Sequence, residues 1–461
     1  MKTKNLIPKQ VLCLIIIIQM YSCESFVEVE LPKSQLANKS VFEEFETADA
    51  ALSDIYASLR TNGIFTGAGS GISNQLGNYS DELISIEKPS NSSLFFYNNA
   101  LLPANSYVNL YWNFSYNQIY SANSIIEGVS KSKGLSEQQK KLLYAEALFI
   151  RSLLHFYMTN LFGDIPYITS TDYKINSTIF RSPSAKIYDD IIRDLEEAAD
   201  ILPVSYSTSD RVRPNKLTIK ALLARVYLYR KSYSEAAKAA SEVINTDELY
   251  SLEPDVNKVF LINSTETIWQ LQSGIAGTNT LEGSFFIFTS GPPSLVSLKA
   301  SLADSFTTGD LRRSNWIKTV SNGTSTWYHA FKYKEKSASS TSKEYSIIFR
   351  LAEIYLIRAE ARTEEGDFIG AKGDLNKIRN RAGLTNNTAA EKTEILEAIQ
   401  KERKYELFTE FGHRFFDLKR TGRLDIELGS KNGWNSTDNL FPIPESELNT
   451  NPNLLPQNPG Y

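Results

Sequence analysis

The sequence predicts a mostly α-helical fold, a scaffold of helical hairpins carrying a large irregular insertion with a few short strands. Three observations carry that expectation. Between Arg350 and Leu384, Leu351, Ile354, Tyr355 and Ala359 fall at the spacing of one helical face. Phe368, Ala371, Leu375 and Ile378 repeat the pattern after a break at Gly366-Asp367. A second hairpin, Leu217 to Asn245, places Tyr233, Ala236, Ala240 and Val243 on those same four positions at one fixed offset. Between the two hairpins, Leu249 to Ser346 loses the helical period and fills with Gly, Ser, Thr and Asn.

The first hairpin has clear punctuation. Gly366 ends one helix, the Asp367 carboxylate caps the next, and Gly383 supplies a left-handed stop. Small Ala359 and Ala371 at the crossing point give it the look of a tetratricopeptide unit, which cannot bury its apolar face alone. Ala224 and Ile219 match Ala359 and Ile354, but Leu223 and Tyr227 stand where Arg358 and Arg362 do, so the repetition is structural and weak in sequence.

A chain of 461 residues, 42% hydrophobic and 22% charged, has the composition of a globular protein with a large core. A net charge of -4 leaves no basic footprint for nucleic acid. The only cysteines are Cys13 and Cys23, and the only histidines His155, His329 and His413. No disulfide, no Cys/His metal site and no cofactor is expected.

Along the chain, Lys2, Lys4 and Lys9 precede an apolar run from Val11 to Met20, about half of what a bilayer-spanning helix needs. Residues 1–22 read as a signal peptide. Its end at Ser22-Cys23 resembles the bacterial lipoprotein box, in which the cysteine is acylated, although Tyr21 departs from the usual small residue. A plain secretory signal is the alternative. Residues 23–40 read as an extended tether and 41–461 as a single domain. Helical scaffold is expected over about 41–62, 107–248 and 346–420, irregular ligand-binding parts over about 63–106 and 249–345, and an extended Pro-rich tail over 421–461. Within the scaffold, a helix runs from Val41 to Asn62 and an aromatic-dense one from Tyr107 to Val129. A long helix opens at Ser136-Glu137, another follows Pro183 and ends at Pro203, and a last spans Thr393 to Phe411. Trp112 and Trp269, set in regular patterns, read as core; Thr267–Leu271 and Phe285–Phe288 read as short strands.

Several motifs then carry a resemblance. They are Arg350-Leu351-Ala352-Glu353, Arg358-Ala359-Glu360-Ala361, Arg381-Ala382-Gly383-Leu384, Gly412-His413-Arg414-Phe415-Phe416-Asp417-Leu418, Phe441-Pro442-Ile443-Pro444 and the closing Asn458-Pro459-Gly460-Tyr461. With Phe162-Gly163-Asp164-Ile165-Pro166 upstream, they closely resemble the RagB/SusD family of Bacteroidetes outer-membrane lipoproteins, in family order. The resemblance implies a tetratricopeptide-like scaffold, a lipid anchor at Cys23 and exposure at the cell surface. It also implies a place as a lid on a SusC-like TonB-dependent transporter, where the protein captures a nutrient, usually a glycan.

Sugar recognition needs aromatic faces for the C–H side of a pyranose and polar groups for its hydroxyls. Both irregular stretches offer these: Tyr79, Asp81, Phe95, Tyr97, Asn98 and Asn99 in the first, and Arg312, Trp316, Asn322, Trp327 and Tyr328 in the second. No catalytic residue is assigned. Glu402, Arg403, Glu406, Arg414 and Asp417 around His413 read as an ion-paired corner, and His155 as a core residue. A non-enzymatic glycan-binding lipoprotein is the leading expectation, and a tetratricopeptide-type peptide- or protein-binding lid or scaffold is the alternative.

Overall fold

The computed structural model describes residues 41–88 and 91–461; the signal-peptide, tether and Cys23 expectations lie outside them. The main elements in chain order are α1 (Phe45–Thr61), α2 (Ile72–Tyr79), β1 (Leu83–Ser85), α3 (Ser106–Lys131), α4 (Glu137–Phe162), α5 (Ser184–Ile201), α6 (Lys216–Tyr229) and α7 (Tyr233–Ile244). Then follow β2 (Thr267–Leu271), α8 (Leu281–Phe286), β3 (Val296–Leu298), β4 (Ile317–Ser321), β5 (Thr326–Ala330), β6 (Ser346–Arg350), α9 (Leu351–Glu364), α10 (Phe368–Arg381), α11 (Lys392–Leu407) and α12 (His413–Arg420). The fold is mostly helical, with two small sheets.

Helix α4 is buried on nearly every side from Leu143 to Phe162, its polar residues Glu146, Arg151 and His155 included, and lies at the centre with α3 and α5 packed against it. It opens with the capping box of Ser136 and Gln139, and Gly163 in the left-handed region (φ +76°) lets the chain turn away at its end. Trp112 and Trp269 are both core, the latter edge-on to Phe149 at 5.0 Å.

The two hairpins recognised by periodicity are neighbours, with α7 packed along α9. What holds them includes an ion pair buried at the crossing. Arg225 of α6 donates to both oxygens of Glu353 in α9 at 2.8 and 2.6 Å, and to the Tyr157 hydroxyl at 2.9 Å. In the second hairpin Asp367 accepts from the Gly370 N–H at 2.8 Å, as its position requires. Arg358 and Arg362 both donate to Asp374. The long insertion leaves after α7 and returns into α9 through the antiparallel β2–β6 pair, Thr267 opposite Arg350.

Three local expectations are corrected. Phe285 and Phe286 belong to α8, not to a strand, because the Thr280 hydroxyl accepts from the Gly283 N–H at 3.1 Å and starts a helix. Helix α11 stops at Leu407, short of Phe411; Thr409 and Phe411 adopt left-handed backbone, which turns Glu410 toward Arg350 and Lys332. The tail is not simply extended. It holds short helices at Leu424–Leu428 and Glu445–Thr450 and single turns at Ser436–Asn439 and Pro452–Leu454. Proline permits this by standing before or at the first helical residue, where its missing N–H has no intrahelical partner to lose. Asn458 fastens the tail to the scaffold by donating to the Phe162 and Phe441 carbonyls at 2.8 and 2.7 Å.

Candidate ligand-binding surface

A four-stranded sheet, ordered β1-β3-β5-β4, joins the two irregular stretches: Leu83 lies opposite Leu298, and Leu298 opposite Tyr328. Side chains alternate between the faces of a strand. Leu83, Val296, Leu298, Ile317 and Ala330 therefore share the inner face and form a second hydrophobic core with Trp316 and Phe260. The opposite face carries Ile84 across from Ser297, His329 across from Lys318, and Trp327 across from Val320. Ile84, Ile86 and Leu295 on it are 37, 39 and 38% exposed.

The segment after α8 crosses this outer face. The Phe288 ring stands 4.9 Å from His329, and Trp327 lies against Gly291, where a Cβ would come within 2.2 Å of the indole. Only glycine admits the indole so close. Lys318 sits over Phe331 at 5.1 Å, so the face combines aromatic rings with a cation.

Separately, α8 forms one wall of a cleft of about 240 Å³, lined among others by Arg60, Gly67, Ile275, Asn279 and Leu281. Glu282 lies at its floor, buried, accepting a hydrogen bond from the Ser346 hydroxyl, its other oxygen pressed against Gly67. Burial pushes this carboxyl up to about 7. A carboxyl raised in the folded state binds more protons there than in the unfolded chain, so its contribution weakens as pH rises from about 4.5 to 7. Thermal melts of Glu282→Gln are expected to fall less across that window than those of the parent chain. Parallel curves would show that Glu282 titrates normally.

Two family models match the chain: one described as "Starch-binding associating with outer membrane" over residues 37–228, the other as "SusD family" over residues 299–461. The chain belongs to the SusD/RagB family. A SusD-like protein of Formosa agariphila is 28% identical over 417 residues, covering 77% of this chain and 81% of the relative. The Starch-binding protein SusD of Bacteroides thetaiotaomicron is 38% identical over 123 residues, 25% of this chain and 21% of that one. Among solved structures, a laminarin-binding SusD-like protein superposes with a TM-score of 0.76 at 25% identity, covering 90% of this chain and 99% of that one.

Within this SusD-type fold, the residues singled out from sequence separate into three groups. Trp327, Asn322 and Tyr328 come together on the β4–β5 hairpin. Asn322 is exposed at its tip and accepts from the Thr324 and Ser325 N–H groups, while Tyr328 points to the inner face, under Arg313 at 5.3 Å. Phe95, Tyr97 and Asn98 form a second, partly exposed group on the short helix Ser93–Tyr97 and its end, with Lys431 over the Tyr97 ring at 5.6 Å.

The third group is structural, which corrects the sequence reading. Trp316 is fully buried and donates its indole N–H to the Val256 carbonyl at 2.8 Å. Arg312 is buried among Asp310, Glu402 and Glu406. Tyr79 is buried against Phe96, Phe415 and Phe441, and Asn99 donates to its carbonyl at 3.0 Å. Asp81 accepts from Arg414 and Lys404; burial opposes its ionisation, but Arg414 first and then Lys404 hold it well below the usual carboxylate range. Phe288, Phe331 and the cleft residues Arg60 and Asn279 were missed. Their only sequence signal is proximity to Gly-rich turns.

His155 and His413 are both buried. His155 takes the Ile168 N–H on Nε2 and faces the Arg151 carbonyl through Nδ1, and burial lowers it to about 3. His413 is likewise lowered to about 4 by burial. Around it, Arg403 and Arg420 pair with Asp417, as an ion-paired corner requires. Among the described residues no cluster of three or more His, Cys, Asp or Glu side chains is placed to hold a metal, and no helix is long and apolar enough to cross a membrane.

Proposed function

We propose that this protein is a non-enzymatic outer-membrane lipoprotein, anchored through Cys23, that captures a glycan and passes it to a SusC-like TonB-dependent transporter. The observation that carries the glycan part is Trp327, a partly exposed indole on the outer sheet face, backed by Gly291 and flanked by Phe288, His329 and Lys318. A flat ring of this kind stacks on the C–H face of a sugar, and neighbouring polar groups meet its hydroxyls. Relatives described as starch-binding and laminarin-binding support the same ligand class. The transporter partner and the lipid anchor follow from the family resemblance.

The test is a panel of immobilised polysaccharides probed with the chain begun after Cys23. At least one polysaccharide should be retained, and Trp327→Ala should weaken it tenfold or more, a loss of ~1.4 kcal/mol, at unchanged melting temperature. Binding of peptides with no polysaccharide retained would instead favour a peptide-binding lid.

A further inference from the structure

Away from the sheet, the end of α4, the start of α5, the end of α12 and the C-terminal tail border an open pocket of about 680 Å³. Two cations line it. Arg181 donates to the Asp164 and Pro456 carbonyls at 2.7 Å each and to the Asn458 amide oxygen at 2.6 Å, which uses its guanidinium on neutral acceptors. Lys419, partly buried, donates once, to the Asn160 carbonyl at 2.6 Å, and has no carboxylate within ion-pairing distance among the described residues. An ammonium has three donors, so two remain for a ligand. The fully buried cations Arg225, Arg312, Arg350, Arg403 and Lys332 are set against acids, whereas the partly buried Lys334 and Lys431 donate, like Lys419, to backbone carbonyls; Lys419 differs from these two in lining this pocket.

The other titratable groups in the pocket do not neutralise Lys419. Asp164 is held by the Ser184 N–H and hydroxyl at 2.8 Å each, and Tyr188 donates to the Asn160 side chain at 3.1 Å. Desolvation alone brings Lys419 down to about 7. Phe180, 66% exposed, also lines the pocket, as do Asn439 and Asn453, the latter donating to the Thr178 carbonyl at 2.7 Å.

We propose that this pocket is a second ligand site, taking an acidic saccharide whose carboxylate or sulfate meets Lys419 while a sugar face rests on Phe180. An anion against an ammonium in a partly desolvated site is a strong, charge-assisted contact. The ammonium must be protonated to accept it, so affinity declines as pH rises through the free lysine's titration. The saccharide half rests on the glycan reading above; the anion half rests on Lys419 alone.

The experiment is calorimetric titration of the full chain in detergent with sodium glucuronate, glucose and sodium sulfate at pH 6 and pH 8. Glucuronate should bind at pH 6 and roughly tenfold more weakly at pH 8, with glucose weaker than glucuronate at pH 6. Lys419→Met should abolish the glucuronate preference. Lys419→Arg should keep the pH 6 affinity and remove its pH dependence, since arginine stays charged. Phe180→Ala should weaken glucuronate and spare sulfate, and Trp327→Ala should leave all three unchanged, which separates this site from the sheet. Equal, pH-independent affinity for glucose and glucuronate, or full retention in Lys419→Met, overturns the proposal. Sulfate binding as tight as glucuronate and indifferent to Phe180→Ala overturns the saccharide half.

Discussion

Glu406→Gln is expected to destabilise the protein by about 3–5 kcal/mol, read as a lower denaturation midpoint at unchanged slope. The Glu406 carboxylate is fully buried and receives Arg312 at 2.9 Å, Arg350 at 2.5 Å and also Arg381. Around it, Arg350 and Lys332 meet Glu410, Arg350 and Arg381 meet Glu266, and Arg312 meets Asp310 and Glu402. Burial would raise the Glu406 carboxyl, yet the guanidinium groups of Arg381, Arg350 and Arg312 hold it well below the usual carboxylate range. A network of this kind gives little net stability over an apolar core of equal volume, because every charge has been taken out of water. Removing one carboxylate is another matter, since it strands buried guanidinium groups without their counter-charge. A variant with a midpoint indistinguishable from the parent would show that solvent reaches the cluster. The sign with pH follows: a carboxylate held low in the fold contributes fully above about 4.5 and loses that contribution as pH falls below it.

Trp316→Ala carries the second large effect, about 3–5 kcal/mol for emptying a buried indole site in the core beneath the sheet. The indole packs edge-on to Phe260 at 5.5 Å, and its N–H satisfies the Val256 carbonyl, which the alanine would leave without a partner. The expected result is a large loss of stability with ligand affinity per folded molecule retained. Trp327→Ala should show the converse, lost affinity with stability retained. The pair separates core from surface by measurement: a Trp316 variant as stable as the parent but unable to bind would return that indole to the ligand site.

Much of the scaffold was legible because its signals are local. The i, i+3, i+4 recurrence in α9 and α10, the Asp367 cap and the glycine stops all act within a turn or two of chain. The hairpin's own ion pairs are local too: Arg358 and Arg362 share Asp374, which lies on the next helix. The ligand surface was less legible. Its aromatics could be counted from sequence, but Trp316 and Trp327 each follow small polar residues, Ser314-Asn315 and Ser325-Thr326, and nothing local marks one as buried. Phe285 and Phe286 were misassigned because a short apolar run fits a strand or a buried helical turn equally well.

By itself, then, the sequence determined the helical hairpins, the break between them and the family, since each rests on short-range periodicity or on contiguous motifs. Only the tertiary structure decided that α7 stacks on α9 across the insertion, and that β1 from the first irregular stretch pairs with β3 from the second. It also decided that Trp327 faces outward while Trp316 is enclosed. Trp316 closes the short helix Leu311–Trp316 and turns into the core beneath the sheet, while for Trp327 the reason is the two-residue period of a strand. A shift of one residue in register exchanges its faces, and register is chosen by a partner strand far along the chain, which no local pattern records.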